Sequence, residues 1–195
     1  MSELRQRLRR DTADSHNRID ARMGSLDLTT VGGLSKLLSA HYLVQSLFGA
    51  LADERLEFLP ELRRDLDALG TARPVWTDPP GAQGVHPLGY RYVVSGSHMG
   101  ARLLHRDWMQ ARDPQVRAAG RYLQANLDSR AWPDLLAEMK AADPAAIDAD
   151  HVVASANRVF EAYDRAATEL GIGRGGGGRP AAPPQSAGVG PKTSD

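Results

Sequence analysis

Cysteine is absent from the chain, and histidine occurs at positions 16, 41, 86, 98, 105 and 151. Thiolate chemistry is thereby excluded: there is no cysteine nucleophile, no zinc–thiolate cluster and no disulfide framework. The histidines form no His-Glu-x-x-His helix, and the paired Glu-x-x-His repeats of a helical di-iron bundle are missing. A Gly-x-Ser-x-Gly elbow for acyl transfer is missing as well. What remains is the chemistry of a single imidazole, and His16 is the best placed. At helical spacing it lies on the border of a stripe made by Leu4, Leu8, Ile19 and Met23. A neutral imidazole there suits an axial ligand of haem iron, and equally a hydrogen-bonded boundary histidine. Asp20 lies one turn on, where its carboxylate can accept the second ring N–H and fix the tautomer. Arg9 lies seven residues earlier, roughly 10 Å along the helix, within reach of a carboxylate on a bound ligand.

A second segment, Tyr90-Arg91-Tyr92-Val93-Val94-Ser95-Gly96-Ser97-His98-Met99-Gly100-Ala101, reads as the middle of a helix. Each glycine there costs about 1 kcal/mol relative to alanine. Gly96 and Gly100 are one turn apart and share a face. They leave a bare strip of backbone and permit a bend. Such a strip admits either a flat ligand or a closely packed helix.

The elements that position these residues are helical throughout. The spacing predicts helices over Ser2–Met23, Thr30–Ala52, Phe58–Leu69, Leu88–Met109, Pro114–Leu127, Trp132–Ala141 and Ala146–Leu170. In the last of these, Val152, Val153, Val159, Phe160 and Tyr163 are expected to face inward. The stretch ARPVWTDPPGAQGVHP is too rich in Pro and Gly for regular structure. Alternation of period two is nowhere sustained, so the expected class is all-α, one helical domain over residues 1–170. Residues 171–195 are Gly- and Pro-rich with almost no large apolar residue, which predicts a disordered tail. With 195 residues there is room for one substantial core. Twenty-four basic side chains balance 24 acidic ones, which argues against a nucleic-acid partner. The polar start Met1–Arg10 is unlike a secretory signal, and no apolar run is long enough to span a bilayer. The expectation is a cytoplasmic protein with no membrane partner.

The two chemical segments together resemble bacterial haem oxygenases, including the biliverdin-producing type associated with bacteriophytochromes. The resemblance rests on Leu8-Arg9-Arg10-Asp11-Thr12-Ala13-Asp14-Ser15-His16 and, about eighty residues later, Tyr92-Val93-Val94-Ser95-Gly96-Ser97-His98-Met99-Gly100. It extends over about Leu4 to Leu170, but only these two segments are specific. It implies a haem-oxygenase-like helical bundle with haem between the first helix and a kinked distal helix. His16 then becomes the iron ligand, Asp20 its hydrogen-bonding carboxylate and Arg9 a propionate-binding cation. Gly96 and Gly100 become the distal strip against the haem face, and Ser97 the polar group of the distal water network. Tyr92 and Arg91 fall at the haem edge, with Arg91 reaching either a propionate or solvent.

The implied reaction cleaves haem with O2 and external electrons to biliverdin, CO and ferrous iron, so haem is both cofactor and substrate. No flavin or nicotinamide motif occurs in the chain, so a ferredoxin, flavodoxin or reductase is the implied electron donor, and a bacteriophytochrome a possible recipient of biliverdin. Three positions depart from the family pattern. Ser95 replaces an acidic residue, Ala101 replaces a glycine, and His98 stands where a small or apolar residue is usual. An inward-turned His98 would ligate iron opposite His16. The same fold would then serve as a non-catalytic haem sensor or carrier.

Overall fold

The computed structural model describes residues 2–51, 57–96, 98–128, 130–141 and 147–173, without the side chains of His98, Met99, Ala101 and Asp128. Within them the chain is all-helical, with ten α-helices and no strand. These are α1 (Glu3–Asp11), α2 (Ala13–Met23), α3 (Val31–Phe48), α4 (Leu59–Ala68), α5 (Pro87–Gly96), α6 (His98–Trp108), α7 (Pro114–Arg117), α8 (Arg121–Asp128), α9 (Ala131–Ala141) and α10 (Ala149–Glu169). No helix among the described residues is long and apolar enough to cross a membrane.

Capping explains where many helices begin. The side chains of Ser2, Thr30, Asp113 and Asp148 accept hydrogen bonds from the backbone N–H groups of Arg5, Gly33, Gln115 and His151. Helix α8 is capped from another element: buried Asp65 of α4 accepts from the Tyr122 N–H at 2.8 Å and lies 3.4 Å from the Arg121 guanidinium. Pro60 starts α4, and Gly70 follows its end at φ +62°, the left-handed conformation glycine adopts without strain.

Two expected helices are divided. Ser2–Met23 is kinked at Thr12, whose backbone leaves helical geometry at φ −111°, ψ 2°. The Thr12 hydroxyl donates to the Leu8 carbonyl at 2.8 Å, a back-bond that bends helices. The expected Leu88–Met109 corresponds to α5 and α6, on either side of position 97, which lies outside the described residues. Pro114–Leu127 divides at Gly120, which lies against the Trp108 indole so closely that a Cβ there would stand 2.2 Å from the ring.

Helix α10 is the central element, packed against α1, α2, α3 and α5, while α9 packs on α1 and α5 and α8 on α4 and α6. The α5–α10 contact is backbone to backbone. A Cβ on Gly89 would lie 2.7 Å from the Val152 carbonyl oxygen and 2.9 Å from the Ala156 nitrogen. The Pro/Gly-rich connector is irregular, as its composition predicts, and it is strapped along α10. The Thr77 N–H donates to Glu169, Arg165 and Arg158 donate to the Asp78 and Gly81 carbonyls, and the His86 N–H donates to Ser155 Oγ.

Val152, Val159, Phe160 and Tyr163 are buried as expected, whereas Val153 is only half-buried. The core also holds a polar group. His41 Nδ1 lies 2.9 Å from the Tyr122 hydroxyl and 3.1 Å from that of Tyr163, and burial pushes the imidazole down to about 4. One turn along α3, Gln45 is buried with no hydrogen-bond partner for either amide atom among the described residues. The first three residues of the Gly/Pro-rich segment belong to the described part. Gly171–Gly173 form an ordered turn in which Ile172 is buried and its carbonyl accepts from Arg22 at 2.8 Å. Residues 174–195 lie outside the described part.

Candidate functional site

His16 sits in the first half of α2, one turn beyond the Thr12 kink. Its imidazole is half-exposed, and Nδ1 lies 3.1 Å from the Asp20 carboxylate. That contact follows from helix geometry, since residues four apart stack on one face. Phe160 of α10 meets the ring edge-on at 5.8 Å between centroids and fixes its tilt. With Nδ1–H donated to Asp20, the Nε2 lone pair is the free ligating position of the neutral ring. The Asp20 carboxyl stays in touch with solvent. Surrounding protein raises its pKa, and the charge of His16 pulls it back. Among the described residues, no group of three or more His, Asp or Glu could hold a metal ion.

The second half of the site is on α5 and α6. Gly96, the last residue of α5, is half-buried, and a Cβ added there would lie 3.5 Å from the six-membered ring of Trp132 in α9. The strip at Gly96 is therefore faced by an indole. Gly100, in the first turn of α6, is exposed, and a Cβ there would meet nothing within 4 Å. Ser97 lies outside the described residues, as does the direction of the His98 side chain. Ser95, where the resemblance leads one to expect an acid, is buried and its hydroxyl donates to the Arg91 carbonyl.

Tyr92 joins the two halves. Its ring lies 5.7 Å from that of Trp132, centroid to centroid. Burial raises its pKa, while the Thr12 hydroxyl and the charges of Arg5 and Arg9 lower it. Thr12 is one turn before His16, and Tyr92 is one turn before Gly96. The chain thus brings the His16 and Gly96 segments to the same junction between α1, α2 and α5. Arg9 is exposed on α1 and directs its charge toward this tyrosine.

Arg91 grips Glu138 of α9 through two contacts of 3.0 and 2.6 Å. This ion pair ties α5 to α9, the same helices that Trp132 and Gly96 join.

Four residues of the site are absent from the sequence-based set. Phe160 is expected from spacing only as a core residue. Thr12 carries the kink, and Trp132 and Arg5 form a stacked pair with the guanidinium carbon 5.9 Å from the ring centroid. The repeat of arginine at 5 and 9, one helical turn apart, is the signal that points to Arg5. No protein-family profile, curated protein or solved structure matches this chain.

Proposed function

We propose that this chain is a haem oxygenase, binding haem through His16 and opening the ring to biliverdin. The observation that carries the reading is the His16–Asp20 pair at 3.1 Å. It assigns the N–H to Nδ1, leaves Nε2 as the donor for iron, and sits on a ring braced by Phe160. The glycine strip supports it from the other segment. A Cβ at Gly100 would meet nothing within 4 Å among the described residues, which leaves its backbone open to a flat macrocycle. Arg9 and the Tyr92 hydroxyl supply a cation and a hydrogen-bond donor for the carboxylate-bearing edge.

When bound, haem supplies the iron that takes up O2 and is also the molecule oxidised, with electrons from an external ferredoxin, flavodoxin or reductase. The protein would hold the ring between His16 and the backbone at Gly96 and Gly100, with Trp132 beside Gly96. His16 would offer Nε2 to the iron, with its ring orientation set by Asp20.

The test is a visible spectrum of the full chain with one equivalent of haemin, followed after a reductant is added with catalase present. His16→Ala is run in parallel. Replacement of the haem bands by biliverdin absorption in the wild type alone is the expected result. Haem binding through His16 with the ring intact under reductase-driven turnover would make the protein a haem carrier or sensor. No haem binding would overturn the reading altogether.

A further inference from the structure

Two guanidinium groups in the site meet no carboxylate among the described residues. Elsewhere on the first two helices the arginines are matched: Arg7 to Asp150, Arg10 to Asp11, and Arg22 to Asp164. Arg5 and Arg9 are not, although they stand one turn apart on the same face of α1 and both act on the Tyr92 hydroxyl. Arg5 is also held: its guanidinium lies over the Trp132 ring at 5.9 Å. That ring also lies 5.7 Å from the Tyr92 ring, centroid to centroid, and packs near Gly96. An arginine stacked on an aromatic face has lost much of its freedom while its N–H donors stay available at the edge.

We propose that Arg5 and Arg9 form a two-guanidinium clamp for the paired carboxylates of a flat aromatic ligand, with Trp132 as the platform that positions Arg5. Under the haem reading on which this rests, those carboxylates are the two propionates. Arg9 and Tyr92 lie in the segments that carry the family resemblance. Arg5 and Trp132 do not, and their role comes from the contacts of this chain. Positions four apart on a helix place two long cationic side chains side by side, one for each of two flexible acids. Planar guanidinium forks bind such acids through paired hydrogen bonds.

The test measures equilibrium binding, not turnover. The full-length wild type, Arg5→Ala, Arg9→Ala, Trp132→Leu and the Arg5→Ala/Trp132→Leu double variant are titrated with haemin and with haemin dimethyl ester, followed by the shift of the main haem band. Circular dichroism establishes that each variant is folded. Arg5→Gln replaces Arg5→Ala if the latter is not folded. Arg5→Ala should weaken haemin binding about tenfold, which corresponds to about 1.4 kcal/mol. It should leave the affinity for the uncharged ester unchanged. Trp132→Leu should weaken haemin binding in the presence of Arg5 but add little once Arg5 is gone. A folded Arg5 variant that binds haemin as the wild type does, while Arg9→Ala is weakened, overturns the clamp and leaves the haem reading standing. An equal loss for haemin and its ester also overturns the clamp, because the effect would not depend on the acids. Failure of the wild type to bind haemin overturns both.

Discussion

His41→Asn should remove much of the acid sensitivity of the fold. The imidazole is buried between Tyr122 and Tyr163, and its pKa falls from 6.5 to about 4. The unfolded chain binds a proton at the ordinary value, so between pH 6.5 and 4 it holds more protons than the native chain. Stability therefore falls as pH drops through that window and levels off below it. The drop from 6.5 to about 4, at about 1.36 kcal/mol per pH unit, gives a loss of roughly 3 kcal/mol across the window. Asparagine keeps an oxygen acceptor near the Nδ1 position for the two tyrosine hydroxyls but carries no titrating group. The assay is urea unfolding followed by circular dichroism at a series of pH values across the window, for wild type and variant. The variant is expected to start less stable at neutral pH, because imidazole packing is lost. Its stability should then fall less steeply. If both chains lose stability with the same slope, His41 is not the group responsible and its burial does not control acid unfolding.

Other outcomes follow from backbone approach and capping. Gly89→Ala should destabilise by about 1–3 kcal/mol in the same unfolding assay, because the new Cβ meets α10 backbone atoms that cannot rotate away. Gly100→Ala should cost no stability, and can gain up to about 1 kcal/mol from helix propensity, since its Cβ enters open space. Its haemin affinity should nonetheless drop. An unchanged affinity would remove Gly100 from the ligand face. Asp65→Ala should cost about 1–3 kcal/mol by stranding the Tyr122 N–H, and Asp65→Asn, which retains an acceptor, should cost less.

The parts of the molecule written in local spacing are readable from the sequence. Helix α4 announces itself through Leu62, Leu66, Pro60 and Gly70, and the His16–Asp20 contact follows once α2 is helical. The Thr12 kink is not readable, because apolar periodicity runs across it unchanged and only a hydroxyl back-bond marks it. Arg91–Glu138 and Gly96–Trp132 are hidden for another reason. Each joins helices far apart in the chain, and the pairing exists only because α9 lies across α5. Ile172 shows the limit of composition. A single apolar residue in a glycine-rich stretch is buried there, and Arg22 donates to its carbonyl.

The start of helix α5 and the end of helix α6 are both clamped. At the near end, Gly89 is locked to the α10 backbone and the His86 N–H to Ser155. At the far end, the Trp108 indole N–H is bonded to the Val116 carbonyl at 2.9 Å and the ring is wedged against Gly120. Gly96 and Gly100 lie between these two anchored ends. With the start of α5 and the end of α6 both held, neither helix is free to swing away from the bundle as a whole, so a ligand at the two glycines would be accommodated by small displacements near them.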